Sequence, residues 1–399
     1  MMDLSKPSRR YQYMADKWHL PLTLMQGSQA MQEAGQRYLP RHPAENDRIY
    51  QERARKTVLR NYFRRTVHKL VGQVFSEPLN IEKAIPEPLA ALLEDVDLTG
   101  RGLTSFAQGW FEDAVVCGLS HVMVDFPAIC EEKRQEASDI SPRPYAVHIP
   151  AHHLLFWEWE MGLVGPYLKE IRILEEGSQR IGGEEKNTQY VRIVKPDHWC
   201  RYRKDENRRW EIEAEGENSL GAIPLVTLYT NRTGFMEAAP PLEDLAWLNL
   251  EHYQIRSDQR NALNVASFPI LAASGYNPEI DGPIEVGPNK VLTTSDTDGK
   301  YYYVESSGAA LEAGARELAD LEKTIQLFGL QFEAGAGTET ATGRLIDAKE
   351  ASAPVASMIN QLEDALNKML SVFADWGDIE TNGKIVMRRS SPVPGPYIP

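Results

Sequence analysis

Between Tyr145 and Tyr229 the sequence strings together seven short segments of strand character with no helical period between them. Val147–Ile149, Leu154–Trp159, Tyr167–Leu174, Tyr190–Val194, Trp199–Arg203, Trp210–Glu213 and Leu225–Tyr229 are β-branched or aromatic. Gly, Pro, Asn and charged turns punctuate them. Strands that follow one another without intervening helices exclude a βαβ architecture and predict an α+β fold.

The flanks are helical. Residues 1–45 have weak periodicity and predict an N-terminal arm with short helical pieces. Asn46–Phe75 predicts one long helix, capped by Asn46 or Asp47, with Leu59, Phe63, Val67, Leu70 and Val74 at helical spacing. A helix near Leu103–Gly118 leads into the buried-strand run His121–Phe126, stopped by Pro127. An α+β domain over 46–240 follows. At Pro240–Pro241 the texture changes: Pro241 opens a helix to about Ser267, with Glu243 and Asp244 in its first turn. Its second half is rich in amides, Gln254, Gln259, Asn261 and Asn264. Phe268–Ser307 predicts short strands, Lys290–Thr294 and Tyr301–Glu305 the clearest. A helix over 308–330 carries Leu311, Leu318 and Ile325 seven apart, with Leu321 and Phe328 interleaved, a narrow packing seam. A Gly/Ala/Thr loop, 331–343, precedes a helix over Arg344–Trp376, which Pro354 should kink. The Pro-rich segment 377–399 predicts an extended tail.

Composition narrows the function. With 399 residues the chain can form two or three domains, and 42% hydrophobic with 25% charged residues is ordinary for a folded protein. Its longest stretch free of Asp, Glu, Lys and Arg, Asn261–Pro278, holds three Asn, two Ser, a Gly and two Pro, so it does not predict a membrane span. No continuous apolar segment follows the N-terminus, so no cleaved secretory signal is expected. Cys117, Cys130 and Cys200 form no CxxC, which argues against a disulfide framework. The net charge is −14. Residues 1–70 carry 14 basic and 6 acidic side chains, the other 329 carry 29 and 51. An acidic body disfavours tight duplex binding, and the asymmetry predicts like subunits packing basic parts against acidic neighbours. Arg53, Arg60 and Arg64 on the first long helix are the expected subunit-interface residues.

Enzyme signatures are weak. Gly337 to Gly343-Arg344 has the wrong spacing for a phosphate loop and lacks its Lys and Ser/Thr. Gly118-Leu119-Ser120-His121-Val122 lacks the second glycine of a nucleophile elbow, which leaves Ser120 as a turn residue. The rival reading is a metal-dependent hydrolase using His148, His152, His153 and Asp125, although His148 and His152 straddle Pro150. No catalytic residue, metal or cofactor is expected.

The succession of parts resembles a known family. Tyr38-Leu39-Pro40, Tyr50-Gln51-Glu52-Arg53, Leu70–Phe75, Phe106–Asp125 (FAQGWFEDAVVCGLSHVMVD), Pro240–Asn261 (PPLEDLAWLNLEHYQIRSDQRN) and Thr340–Leu370 (TATGRLIDAKEASAPVASMINQLEDALNKML) are similar to tailed-bacteriophage portal proteins, the head–tail connectors. The subgroup is the one long known only as a domain of unknown function. The resemblance covers about residues 35–376. It implies a portal-type fold in a ring of usually twelve subunits: wing 46–240, stem helices 241–267 and 308–330, clip 268–307, and kinked wing-to-crown helix 344–376. It implies a tunnel loop of Gln331, Phe332, Glu333, Ala334, Gly335, Ala336, Gly337, Thr338, Glu339, Thr340, Ala341, Thr342 and Gly343. Implied partners are double-stranded DNA passing without sequence specificity, the terminase large subunit, a head–tail adaptor, and the major capsid or scaffold protein. No membrane is implied, and the implied setting is the virion portal vertex, assembled in the bacterial cytoplasm. Family members usually carry a longer helical crown, so here the crown is short, absent or cut. A non-portal head–tail adaptor is the other structural reading.

Overall fold

The computed structural model describes residues 3–387 apart from 84, 128–141, 182–183, 205–208, 268–269, 285, 287–290, 295, 305–307 and 331–340. In chain order, helices α1 (Arg9–Gln26), α2 (Ser28–Ala34), α3 (Asp47–Lys56) and α4 (Tyr62–Val74) precede strand β1 (Asn80–Lys83). Helices α5 (Glu87–Glu94) and α6 (Leu103–Cys117) lead into β2 (Leu119–Asp125), β3 (Tyr145–Ile149), β4 (Leu154–Met161), β5 (Pro166–Ile181) and β6 (Glu184–Val194). Strands β7 (His198–Lys204), β8 (Trp210–Glu217), β9 (Leu225–Tyr229), β10 (Arg232–Gly234) and β11 (Glu237–Ala238) follow. The last part holds α7 (Glu243–Ala266), β12 (Ile270–Ser274), α8 (Pro278–Asp281), β13 (Lys300–Val304), α9 (Gly308–Leu330), α10 (Ala341–Gly377) and β14 (Lys384–Val386). No described helix is long and apolar enough to cross a membrane.

Two compact units emerge, one of Met1–Gln26, Asn61–Ala246 and Phe328–Pro399, the other of Gly27–Arg60 and Trp247–Leu327. These do not follow the linear partition expected from the sequence, because Gly27–Arg60 groups with the helix–sheet–helix segment rather than with the rest of 46–240.

In the first unit β2 is the centre of an antiparallel sheet of order β3-β2-β9. Leu119 to Val124 are all buried, so both faces of the strand are covered, and α6 and α10 are the long helices that pack on it. Helix α6 contributes Phe106, Trp110, Phe111 and Ala114 to the core. From α10 come Leu362, Leu366, Met369 and Phe373, whose alternating spacing of four and three keeps one stripe inward. Beside them β4-β5-β6-β7-β8 form a five-stranded antiparallel meander, as consecutive strands should.

Several expectations are corrected. The N-terminal arm is in fact core: α1 buries Met14, Trp18, Leu20 and Leu24, and Trp18 Nε1 donates to Cys117 O at 2.7 Å. The expected helix Asn46–Phe75 is two helices. Asn46 caps the first by accepting from Ile49 N–H, Thr57 Oγ1 donates to Arg53 O, and Asn61 caps the second by accepting from Arg64 N–H. A capping Asn satisfies orphan donors at a helix start, so Asn61 begins a new helix. Residues 291–294 form no strand, and the strand partner of β13 is β12. The C-terminal segment is not all tail, since β14 pairs antiparallel with β1. Helix α10 runs from Ala341 to Gly377 with Pro354 inside it, so it starts three residues before the expected Arg344. Ala341, Thr342 and Gly343 therefore belong to the helix rather than to the loop, Ala being the strongest helix former.

Gly118 joins α6 to β2 in a left-handed conformation, φ 91°. A Cβ there would lie 2.3 Å from Ala239 O, a backbone atom that cannot swing away. Gly118→Ala should therefore destabilise the fold by about 3 kcal/mol or more, from overpacking added to left-handed strain. Denaturant unfolding of the variant beside wild type measures this.

Candidate functional site

The expected stem helices and clip, residues 241–330, lie largely in the second unit. There α7 and α9 flank the two-stranded sheet β12–β13, with Ile270 opposite Val304 and Ser274 opposite Lys300. The amides flagged in α7 are ties to backbone carbonyls. Gln254 Nε2 donates to Tyr38 O at 2.9 Å and Gln259 Nε2 donates to Leu311 O at 2.8 Å. One turn earlier, Asn249 Nδ2 donates to Arg60 O at 2.9 Å. Gly314 of α9 lies beside the Gln259 amide, where a Cβ would sit 2.4 Å from Gln259 Oε1 and make the side chain shift. Glu322 of α9 binds both Arg60 (2.6 Å) and His252 (3.0 Å). The His252 hydrogen bond holds the Glu322 carboxyl below its ordinary pKa, and burial holds His252 below its own.

Little of this segment is covered. Along α9 only Leu321 and Ile325 are buried among the described side chains, and Leu311 and Leu318 are half-buried. Leu327 is 64% exposed. Tyr302, Tyr303 and Val304 of β13 are also exposed. Neighbouring residues of a strand point to opposite faces, so both faces of the small sheet are open.

The three expected interface arginines have different fates. Arg53 is only 5% exposed and makes a two-pronged pair with Glu45, 2.8 Å to each oxygen, while Nη2 donates to Pro40 O. Asp258 lies 3.5 Å away. The Arg53 hydrogen bonds hold the Glu45 carboxyl below its usual pKa. Arg53 is thus removed from the interface set, because its counter-charges are on its own chain. Arg60 is likewise paired within the chain, to Glu322, though half-exposed. Arg64 is exposed, donates to Met25 O at 3.4 Å, and has no carboxylate partner among the described residues. Of the loop residues, Gln331, Phe332, Glu333, Ala334, Gly335, Ala336, Gly337, Thr338, Glu339 and Thr340 lie outside the described residues.

The rival metal set does not converge. Asp125 is engaged by Arg192 at 2.7 Å and by the Tyr145 hydroxyl at 3.3 Å. His148 Nε2 lies 2.9 Å from Ser120 Oγ and 3.7 Å from Asp113. His152 and His153 meet edge to face, ring centres 4.4 Å apart. Among the described residues no three His, Cys, Asp or Glu side chains are grouped to hold a metal. Sequence reasoning missed Asp113, which organises this region. Its carboxylate accepts from Ser120 Oγ (2.6 Å) and from Ala151 N–H (3.0 Å). Burial raises the Asp113 pKa, but His148 and these donors outweigh it and leave the group below the ordinary value. Ser120 is fully buried with its hydroxyl proton directed at Asp113, so it is a structural residue rather than a nucleophile.

A family model described as a domain of unknown function, DUF4055, matches residues 241–377, about a third of the chain. No curated protein matches. Among solved structures, a chain in the neck of an empty GTA particle determined with C6 symmetry is 12% identical with a TM-score of 0.42, over 92% of this chain and 90% of that one. A chain in the virion of a native gene transfer agent (GTA) particle is 13% identical with a TM-score of 0.43, over 91% and 89%. The neck of the native GTA particle determined with C12 symmetry contains a chain 10% identical, TM-score 0.42, over 83% and 81%. At these values the likenesses carry no argument about fold or function.

Two outcomes follow from the geometry. Arg53→Ala strips a buried carboxylate of its cation and should cost about 3–5 kcal/mol, whereas Arg64→Ala should stay within about 0.5 kcal/mol of wild type; denaturant midpoints separate the two. Fully buried His121 hydrogen-bonds Thr227 Oγ1 at 2.9 Å, and burial pushes its pKa from 6.5 down to about 3. A depressed histidine pKa favours the neutral ring, so this contribution is complete above pH 6.5 and is lost as pH falls toward 3. His121→Gln should flatten that part of the stability-versus-pH curve, measured by thermal unfolding from pH 7 to pH 3.

Proposed function

We propose that the chain is a portal subunit: a non-enzymatic ring former at one vertex of a tailed-phage-type capsid, through which DNA enters under a separate terminase motor and later leaves. The observation that supports this most is the second unit's helix–sheet–helix segment, tied internally by amides and ion pairs yet open along α9 and on both faces of β12–β13. A lone two-stranded sheet is marginal in water, and a half-covered apolar seam on a helix calls for a neighbour. Side-by-side copies would cover both. On this reading α7 and α9 are the stem helices, residues 268–307 the clip, and 331–340 the tunnel loop, whose charged residues are Glu333 and Glu339. An acidic collar repels phosphate over about 8–10 Å, which keeps a duplex centred and unbound. Partners on this reading are the terminase large subunit, a head–tail adaptor and the capsid or scaffold protein.

Negative-stain images of the purified protein should show rings with a central hole, and Arg64→Glu should shift them toward monomer in sedimentation. Monomers alone, at all concentrations, would remove the reading. Glu333→Lys with Glu339→Lys should leave rings intact but slow DNA passage into a reconstituted head, with partial rescue at raised salt. Normal low-salt kinetics would mean that these residues do not face the DNA.

A further inference from the structure

Helix α4 is one-sided in charge. Tyr62–Val74 carries Arg64, Arg65, His68 and Lys69 and no acidic residue. Its apolar side, Phe63, Val67, Leu70, Val71 and Val74, is buried, and the four basic side chains are exposed. His68 has Glu112 at 3.8 Å. Arg64 donates from Nη1 to Met25 O, which uses the edge of the guanidinium and leaves its plane open. Arg65 beside it has no carboxylate partner among the described residues.

Helix α7 carries the complement. From Trp247 to Ile255 it holds one acidic residue, Glu251, and no Lys or Arg. Asn249, Leu250, His252 and Tyr253 are buried, whereas Trp247 is 57% exposed and Glu251 is exposed as well. Residues four apart on a helix are neighbours, so indole and carboxylate stand together on the outer side. Among the described residues no cation lies over the Trp247 ring and none pairs with Glu251. An indole beside a carboxylate suits arginine: the ring attracts the flat guanidinium, and the carboxylate accepts its planar fork of donors.

Every copy of the chain has both surfaces, and the described residues of one copy satisfy neither. We infer that the Trp247–Glu251 pair of one copy receives α4 of a second copy, Arg64 stacking on Trp247 and Arg65 pairing with Glu251. This rests on the ring-forming reading and names one contact of that ring. The two surfaces are unlike, so the contact runs head to tail, the kind that closes into rings.

Glu251→Arg and Arg65→Glu should each raise the concentration at half assembly in sedimentation by roughly tenfold or more, because like charges then face each other. Trp247→Ala should act in the same direction, and Trp247→Phe less, a phenyl ring holding a cation more weakly. These positions are exposed, so unchanged thermal unfolding of each variant is the control. An equimolar mixture of the Glu251→Arg and Arg65→Glu chains should assemble as wild type does, since each supplies the surface the other has lost. Rescue only when both changes share one chain would put the pair within a copy and overturn the inference. So would single variants that assemble normally, or a mixture that stays apart. Wild-type monomers at all concentrations would remove the ring reading itself and this contact with it.

Discussion

Every residue from Leu119 to Val124 is buried, so β2 meets no water on either face and requires cover on both. Helix α6 immediately precedes it and can turn back only through Gly118, whose left-handed backbone packs against Ala239. Helix α10 lies about 200 residues further on. Each large apolar side chain buried at such a site contributes about 1.5–3 kcal/mol, and closing a long loop grows costlier only slowly with length. Burial therefore brings the late helix to the early strand. The same logic explains α1, whose Trp18 reaches Cys117 O at the end of α6.

Charge in this chain behaves locally. A basic N-terminal stretch in an acidic protein invites the idea of partners supplied by other copies, yet Arg53 and Arg60 find Glu45 and Glu322 within the chain. The meander makes the point more sharply. Arg192 and Arg201 sit directly opposite on β6 and β7, a like-charge pairing that is unfavourable alone. Glu175 of β5 resolves it, one carboxylate oxygen 2.6 Å from Arg192 and the other 2.8 Å from Arg201. Net charge per segment says nothing of such geometry.

Much of the fold was legible because it has a period. The seven strand segments all appear, although β5 and β6 extend further, through a polar hairpin (Glu175–Ile181 against Glu184–Tyr190) whose sequence shows no hydrophobic alternation. The helices at 243–266 and 308–330 fall within a few residues of expectation. What stayed hidden lacks local signal. Strands β1 and β14 are four and three residues long and pair across some 300 positions. In α1 the buried residues are interleaved with charges and interrupted by Pro21. At the candidate site, the unusual amides of α7 were visible as an anomaly, but their use was not, because a sequence does not show which carbonyl faces which amide. Asp113 was lost for a related reason: one carboxylate among 57 acidic residues carries no mark of being buried.

The second unit poses the remaining physical question, which is why a helix as open as α9 should hold. Its covered residues, Leu321 and Ile325, lie one turn apart, while Leu311 and Leu318 of the same seam are only partly covered. Internal ties at Gln259 and Glu322 fix two points along it, so the helix is positioned without being enclosed. On the portal reading such a surface would meet a neighbouring copy with its ordering entropy already met within one chain. The open face of α9 and the open faces of β12–β13 are unlike surfaces, and contact between unlike surfaces propagates head to tail. Such contacts close into rings when the rotation allows and otherwise run on as filaments. On the portal reading the rotation closes, and the chain's charge of −14 is repeated in every copy around the hole. On the same reading that repetition would turn a modest repulsion per residue into a symmetric field, which would guide a polyanion without holding it.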